Sequence, residues 1–377
     1  MKSYKHQLLA TSALVAAMSM TGGAALAAEE EKEMMEAVPP HWSLGGFFNH
    51  STHFADQDSR NNKGNISSRN NIEIYFDASG EMDNGLRLGG RVQLEGAKAG
   101  SAADESWISL ASDWGQIRAG YMQSGLYGHT WAVQAPSAAY GVSSGHAHFW
   151  FDNPADGALA NYRFLRALGS VNTDIGENEP TITYYTPRFN GFQLTGSYRY
   201  GINEVASDYG RVANEDTEYN NALDGSIHYA GDMGGVAFGV MLGAATASAP
   251  NNGGDCGSDG YRALNAGARL SAQGFTFGAQ VADIEDQARC GSGTAMQAGA
   301  MYGQGPWAIS LTGFNGEIEQ SPAPGDAEYS AWSLGMGYTI GPGLRLVASY
   351  QDVEYDGEGT ASDDAGQAFM VGVNVGF

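Results

Sequence analysis

The strongest constraint on this chain is a two-residue alternation along its last thirteen residues, Ala365–Phe377. Every second position carries a large apolar side chain: Phe369, Val371, Val373, Val375 and Phe377. Most positions between them are small or polar. Because successive side chains of a β-strand point to opposite faces, this segment predicts a strand with one apolar face. Such a strand, ending on an aromatic residue, is typical of a barrel that spans a membrane.

The same alternation begins at His41 and predicts sixteen strands in all. In 85–96, for example, apolar side chains alternate with Arg87, Arg91 and Glu95. The predicted strands cover residues 41–54, 66–80, 85–96, 104–112, 114–122, 180–188, 191–201, 220–230, 234–246, 261–273, 274–284, 294–304, 305–317, 327–340, 343–356 and 365–377. The predicted fold class is therefore all-β, a transmembrane antiparallel barrel of sixteen strands.

The composition leaves one other all-β architecture to consider. Only 16% of the residues are charged, yet no stretch after the first thirty residues has the ~20 consecutive apolar residues of a spanning helix. A secreted β-sandwich or β-helix is the soluble alternative. Charged side chains opposite the apolar faces argue against a sandwich core, which would not tolerate them unpaired. Aromatic residues near predicted strand ends suit a lipid–water boundary: Trp42, Tyr75, Tyr121, Tyr198, Tyr200, Tyr229, Trp307, Tyr338 and Tyr350.

The amino terminus predicts export. A positive start with Lys2 and Lys5, an apolar run and an A-x-A site ending at Ala27 form a cleavable signal peptide over residues 1–27. Residues 28–40 form a short acidic lead on the periplasmic side, and the barrel occupies 41–377. Cleavage would change the net charge from −23 to −25, which argues against nucleic acid as a partner.

Short and long connections alternate between the predicted strands. Glycine-bearing turns such as Gln273-Gly274 close every second gap, and longer polar loops close the others. This asymmetry is typical of a barrel with periplasmic turns on one side and extracellular loops on the other. The connection between Met122 and Pro180 is far longer than the rest, and long loops are usually functional. We predict that residues 123–179 fold back into the barrel as a constriction loop.

Three segments resemble the general diffusion porins of Gram-negative bacteria. Asp113–Tyr121 (DWGQIRAGY) resembles the turn and strand before the porin constriction loop, and Tyr184–Phe192 (YYTPRFNGF) resembles the hairpin after it. The terminal strand with Phe377 is similar to the porin insertion signal. The order and spacing of these segments around one long loop make the resemblance specific, and it covers essentially the whole mature chain.

The resemblance implies a function, an assembly and a set of site residues. It implies a homotrimer in the outer membrane, in contact with lipid and lipopolysaccharide, that lets small hydrophilic solutes diffuse passively. It implies neither an enzyme nor a cofactor. In that family an inward loop presents carboxylates to a ladder of arginines. The matching positions are Asp152, Asp156, Asp174 and Glu177 on the loop and Arg69, Arg91 and Arg118 on the wall.

The alternation places the three arginines on the lumen face independently of the resemblance. Ile72, Ile74 and Ile117 occupy lipid-facing positions on two of the strands, so Arg69 and Arg118 face the other way. An arginine in the middle of the lipid face would cost roughly 2–4 kcal/mol. Walls of charge set selectivity in many pores, and the net charge predicts a weak cation preference. The alternative is that these arginines are solvated lumen residues paired with Glu73 or Glu95.

Two other functions remain open from the sequence. The first is a substrate-selective channel for a sugar or peptide, lined by aromatic residues of the long loop: Trp131, Tyr140, Phe149, Trp150, Phe151 and Tyr162. The second is a barrel enzyme such as a phospholipase or protease. It would need a nucleophile and a base, and the sequence contains no specific motif for them.

Two cysteines, Cys256 and Cys290, lie in consecutive predicted long loops rich in Gly, Ser and Asp. Export places them in an oxidising compartment, where a disulfide would contribute roughly 4 kcal/mol in the loop-entropy model. Free thiols are the alternative.

Metal binding is weakly supported. Acidic clusters at 283–286, 352–358 and 363–364 suit loosely bound Ca²⁺ between protein and lipopolysaccharide phosphates, or simply form a solvated surface. His146 and His148 lack a third ligand at a fixed spacing. We therefore predict no metal site and no tightly bound cofactor.

Overall fold

The computed structural model describes residues 38–58, 64–96, 103–142, 150–151, 178–202, 219–249, 260–286, 291–320, 326–357 and 363–377. The signal peptide and most of the predicted acidic lead lie outside these ranges, as do residues 143–149 and 152–177 of the long loop. No helix within the described ranges is long and apolar enough to cross a membrane.

Sixteen strands and the helix α1 (Gly125–Val133) are assigned within the described ranges. The strands are β1 (Val38–Gln57), β2 (Ile66–Glu81), β3 (Arg87–Glu95), β4 (Ala103–Ser112), β5 (Gly115–Met122), β6 (Glu179–Tyr185), β7 (Phe192–Ile202), β8 (Tyr219–Met233), β9 (Val236–Ser248), β10 (Tyr261–Ala272), β11 (Phe275–Asp286), β12 (Gly291–Gln304), β13 (Trp307–Gln320), β14 (Ala327–Gly341), β15 (Leu344–Gly357) and β16 (Asp364–Gly376). The predicted strand count and fold class are confirmed. β1 begins at Val38, inside the predicted lead, where it pairs with Glu81 of β2.

The sheet is a closed antiparallel barrel in which each strand pairs with its neighbours in sequence and β1 pairs with β16. The register of the closing pair places Phe48 opposite Val375 and Phe54 opposite Phe369. Phe377 extends the pairing by two backbone hydrogen bonds with Gly46, of 3.0 and 3.1 Å. Closure satisfies the backbone groups that an open sheet edge would expose to lipid.

The two faces of the wall differ as the alternation predicts. On β14, Trp332, Leu334 and Met336 are exposed on the outside, whereas Ser333 and Gly335 between them are buried. The same contrast recurs around the ring, with exposed large apolar residues on the outer face of the other strands. The outer face suits a hydrocarbon environment, and the inner face is small and polar.

Aromatic side chains form contacts around the outer face at the short-turn end. The ring pairs are Trp114–Tyr184, Phe192–Tyr229, Tyr229–Phe238, Phe275–Tyr302 and Trp307–Tyr338, with centroids 4.5 to 6.4 Å apart. The assignment of Tyr75 to this boundary is wrong. Tyr75 is buried on the inner face, because Ile74 and Phe76 on either side of it take the outer positions.

The short turns depend on glycine. In the β10–β11 turn, Gln273 and Gly274 have φ values of 51° and 85°. Two successive positive φ angles suit a tight hairpin between right-twisted strands. This geometry explains why Gln-Gly and the similar Asn190-Gly191 occur at the predicted short turns.

Candidate pore constriction

The segment that follows β5 turns away from the wall at Ser124. The Ser124 hydroxyl accepts a hydrogen bond from the Tyr127 backbone N–H at 3.2 Å and caps α1. This contact satisfies one of the free N–H groups at the start of a helix. After α1 ends at Val133, the chain runs on as irregular structure to Val142, and many of its side chains are buried. Residues 124–142 are called the liner below.

The liner lies against the inner face of the barrel. It runs from β7 through the higher-numbered strands to β1. Polar groups of the wall hold its backbone or side chains on one strand after another: Ser197 with Gly125 N (3.0 Å), Asn265 with Thr130 Oγ1 (3.0 Å), Ser310 with Ala138 N (2.8 Å), Thr312 with Val142 N (3.3 Å), Ser333 and Gln351 with Tyr140 O (2.7 and 3.0 Å), and His50 O with the Tyr140 hydroxyl (3.4 Å). A buried irregular segment needs such partners for its backbone polar groups.

Inward-facing glycines make room for the liner. A Cβ atom at Gly267 of β10 would lie 2.6 Å from Val133 Cγ2, and one at Gly278 of β11 would lie 2.7 Å from the Gln134 carbonyl oxygen. Real Cβ atoms essentially never approach other atoms so closely. A Cβ atom at Gly243 or Gly372 would likewise lie within 2.4 Å of a liner atom, and one at Gly299 or Gly335 would lie 3.2 Å from one. These inward-facing glycines therefore leave a shallow groove in the wall in which the liner lies. We call this groove the glycine bed.

His129 fixes the helix to the wall through both ring nitrogens. Nδ1 lies 2.9 Å from Ser226 Oγ and Nε2 lies 3.4 Å from Gln193 Oε1. The ring also lies beside that of His228, with centroids 4.9 Å apart. Burial lowers the pKa of His129 to about 4, and the nearby Arg188 adds to the effect. The ring is therefore neutral near pH 7, as its buried position requires.

Two of the three predicted arginines come together on the wall formed by β3, β4 and β5. Arg91 makes a bidentate ion pair with Asp77, of 2.7 and 3.0 Å. Arg118 donates through Nε to Gln116 Oε1 at 3.2 Å. Both guanidinium groups contact the ring of Trp107, at 5.9 Å from Arg91 and 4.6 Å from Arg118.

Arg69 lies apart from this pair. It shares the inner face of β2 with Asp77, but the eight intervening steps along the strand separate the two by roughly 26 Å. Arg69 is exposed near the loop end of β2, where Glu95 is an electrostatic partner. The three predicted arginines therefore do not lie at the same depth in the lumen.

The predicted loop carboxylates Asp152, Asp156, Asp174 and Glu177 lie outside the described residues. The wall itself carries carboxylates beside Arg91. Asp77 is its direct cross-strand partner, and Glu105 is a further electrostatic partner on β4. The sequence alone suggests Glu73 and Glu95 as partners of the arginines and does not identify Asp77. Counting residues outward from the β2–β3 turn, where Glu81 faces Arg87, would have placed Asp77 opposite Arg91.

A buried ion pair on β7 and β8 was also missed. Arg199 Nη1 lies 3.3 Å from Asp224 Oδ2, with side-chain exposures of 1% and 3%. Arg199 Nε also donates to Thr181 Oγ1 at 2.9 Å. The strand pattern alone does not identify this pair, because it gives neither the register between β7 and β8 nor the burial of the two side chains.

Three of the aromatic residues suggested for a substrate path are buried. Tyr140, Trp150 and Phe151 have exposures of 6%, 7% and 3%. The Trp150 indole donates to Gln351 Oε1 at 2.8 Å, and Phe151 contacts the ring of Tyr329. Trp131 is half-buried, and Phe149 and Tyr162 lie outside the described residues. The buried members pack against the wall.

Cys256, Cys290, His146 and His148 all lie outside the described residues. Within the described ranges, no cluster of three or more His, Cys, Asp or Glu side chains is arranged to hold a metal ion.

A closed barrel with an apolar outer face and a polar inner face defines the class of outer-membrane β-barrel pores. Comparison of the sequence with protein families is specific: a family described as Gram-negative porin matches residues 10–358. The chain belongs to the Gram-negative porin family. Its resemblance to that family and its place in the outer membrane are thereby established.

Solved structures of two porins and of another outer-membrane protein share the fold at low sequence identity. The anion-selective porin from Comamonas acidovorans is 14% identical, with a TM-score of 0.60 over 90% of this chain and 100% of that one. The trimer form of OmpT from Vibrio cholerae is 12% identical, with a TM-score of 0.59 over 90% and 99%. A mutant of the Rh. blastica porin is 17% identical, with a TM-score of 0.54 over 89% and 100%. The search of curated proteins gives no match.

Proposed function

We propose that this protein is a non-enzymatic outer-membrane pore for the passive diffusion of small hydrophilic solutes and ions. The observation that carries the proposal is the closed ring of strands with a polar inner face, in a chain of the porin family. Purified protein added to a planar lipid bilayer in KCl should produce stepwise conductance increases. Absence of such steps from protein shown to be folded would contradict the pore function.

We propose a weak cation preference, set by carboxylates that offset the arginines of the wall and by the net negative charge of the chain. Asp77 offsets the charge of Arg91, Glu105 lies nearby, and the mature chain would carry a net charge of −25. Asp152, Asp156, Asp174 and Glu177 of the loop are proposed to face this wall, with Arg69 at the outer entrance. The C. acidovorans porin is described as anion-selective, so the shared fold leaves the sign of the selectivity open.

Replacement of Asp77 tests this preference directly. Reversal potentials in a KCl gradient should show that the native pore is more permeable to K⁺ than to Cl⁻. Asp77→Asn should raise the relative permeability to Cl⁻, because Arg91 loses its counter-charge. Asp232→Asn, at the exposed end of β8 beside the short β8–β9 turn, is the matched control and should leave the potential unchanged. A clear Cl⁻ preference in the native protein would refute the proposal.

We also propose a homotrimer embedded among outer-membrane lipids and lipopolysaccharide, with export directed by a signal peptide at 1–27. OmpT from V. cholerae is described in a trimer form. Closure of single insertions in three equal steps would support this assembly, and single-step closure would contradict it.

Two loop features complete the proposal. A disulfide between Cys256 and Cys290 would be seen as one linked tryptic peptide under non-reducing conditions. Loosely held Ca²⁺ at the acidic clusters 283–286, 352–358 and 363–364 should raise the melting temperature in lipopolysaccharide-containing vesicles, and a chelator should reverse that rise.

A further inference from the structure

An unbroken row of aromatic rings and guanidinium groups crosses six consecutive strands on the inner face. β1 to β6 each contribute one side chain, in the order Phe47, Tyr75, Arg91, Trp107, Arg118 and Tyr185. Successive members lie 6.4, 4.6, 5.9, 4.6 and 5.0 Å apart, measured between ring centroids or from the guanidinium carbon to a centroid. We call this row the ribbon.

The order of the ribbon fixes which parts of its rings meet the lumen. The guanidinium groups lie over the rings of Tyr75, Trp107 and Tyr185, between residues on neighbouring strands. Trp107 lies between guanidinium groups from both neighbouring strands, so its edge is the part left to meet the lumen, and one face of Tyr185 is occupied by Arg118. Aromatic edges carry positive partial charge and prefer the electron-rich face of another ring.

The ribbon also offers hydrogen-bond donors. A guanidinium group has five N–H donors, and the two contacts with Asp77 occupy two donors of Arg91. The Arg91 side chain keeps 23% of its surface exposed. Phe47, Trp107 and Tyr185 are likewise half-buried, so these members present part of their surface to the lumen. Donors and aromatic edges on one strip favour a planar solute that carries an anionic acceptor.

We propose that the ribbon is a contact track for aromatic carboxylates that pass through the pore. The carboxylate of such a solute accepts hydrogen bonds from Arg91, and its ring lies against the edges of Trp107 and Tyr185. The liner occupies the inner face from β7 round to β1, so the ribbon lies on the remaining part of the wall. This inference rests on the proposed pore function and narrows its solute class.

The test uses two acids of equal charge and similar size. Benzoate is planar, whereas cyclohexanecarboxylate has no π system. In single-channel recordings of the native pore in KCl, benzoate should interrupt the current at a concentration at least about fivefold lower than cyclohexanecarboxylate. Equal potency of the two acids would overturn the proposal. Absence of any KCl conductance would instead count against the pore function itself.

Variants locate the effect. Trp107→Leu should remove the difference between the two acids, and Trp107→Phe should retain most of it because a ring remains. Trp332→Leu is the matched control, since Trp332 lies on the outer face and its loss should leave the benzoate effect unchanged. A benzoate preference that survives in a conducting Trp107→Leu pore would refute the role of the ribbon. If that variant does not assemble, the comparison of the acids in the native and Trp107→Phe pores decides.

Discussion

At the scale of single residues, the inner wall shows how charges are held inside a barrel. The Arg91–Asp77 pair is partly exposed, so water screens it and it contributes little to stability. The Arg199–Asp224 pair is almost fully buried, where removal of one partner of an ion pair is costly. The first pair is therefore accessible from the lumen, and the second is part of the packed wall.

Removal of one partner of the buried pair should be costly. We expect Asp224→Ala to lower the free energy of unfolding by about 3–5 kcal/mol, because Arg199 would keep a buried charge without this carboxylate. The double variant Arg199→Met with Asp224→Leu should recover most of the loss. Urea unfolding of protein refolded in lipid vesicles measures both. Equal losses for the single and double variants would contradict this account.

At the scale of elements, the sequence predicted the strands far better than the liner. Period-two patterns located β1 to β16 because each strand needs one lipid-facing side, and lipid leaves little freedom in that pattern. The path of the liner depends on glycines such as Gly267 and Gly278, which have no side chain to mark a contact. Partners such as Asp77 depend on register, which counting from a turn could have supplied. Tyr75 was misplaced because closeness to a strand end was weighed above its position in the alternation.

A side chain in the glycine bed should lift the liner from the wall. Gly267→Val places atoms where Val133 and Gln280 now lie. We therefore expect the free energy of unfolding to fall by about 1–3 kcal/mol and proteolysis within 124–142 to become faster. Gly196→Val, at an open position on the outer face of β7, should have neither effect. Thermal unfolding and limited proteolysis in detergent would show the difference. An unchanged cleavage rate in Gly267→Val would argue against the bed.

The docking of α1 should weaken in acid. The pKa of His129 is about 4 in the folded protein against an ordinary value of 6.5, so the undocked state binds the proton more readily. The docked state of α1 is therefore most stable above pH 6.5, and its free energy of docking becomes less favourable by on the order of 3 kcal/mol at pH 4. The ring of His228 lies beside that of His129, and the positive charge of Arg188 contributes to the lowered pKa of His129.

Hydrogen exchange tests this pH dependence. Amides of α1 should exchange faster as the pH falls from 6.5 to 4, after correction for the intrinsic pH dependence of exchange. His129→Gln can keep hydrogen bonds to Ser226 and Gln193 but cannot take up a proton, so its exchange should depend less on pH. The same pH response in both proteins would assign the effect to another group.

At the scale of the whole molecule, the barrel depends on one pairing between the two ends of the chain. β1 and β16 meet from Gln57 and Gly366 at the loop end to Phe47 and Gly376 at the other, and every backbone group in this pairing would otherwise face lipid. Phe377 continues the pairing through its backbone N–H and C=O, which bond to Gly46. Any residue except proline can form those two bonds at this position, so the backbone alone does not explain an aromatic side chain there.

The side chain of Phe377 is expected to act in assembly and not in conduction. Its ring is 62% exposed and continues the outward alternation of Phe369, Val371, Val373 and Val375, away from the lumen. We expect Phe377→Ala to reduce the amount of folded protein in the outer membrane severalfold, while single-channel conductance stays the same. Heat-modifiable gel mobility measures the folded fraction, and bilayer recordings measure the conductance. Val236→Ala, at another exposed outward position near a short turn, is the matched control for the loss of apolar surface. If both variants assemble equally well, the terminal ring has no special role in insertion; if Phe377→Ala changes conductance, the side chain influences the pore in a way that its outward position does not explain.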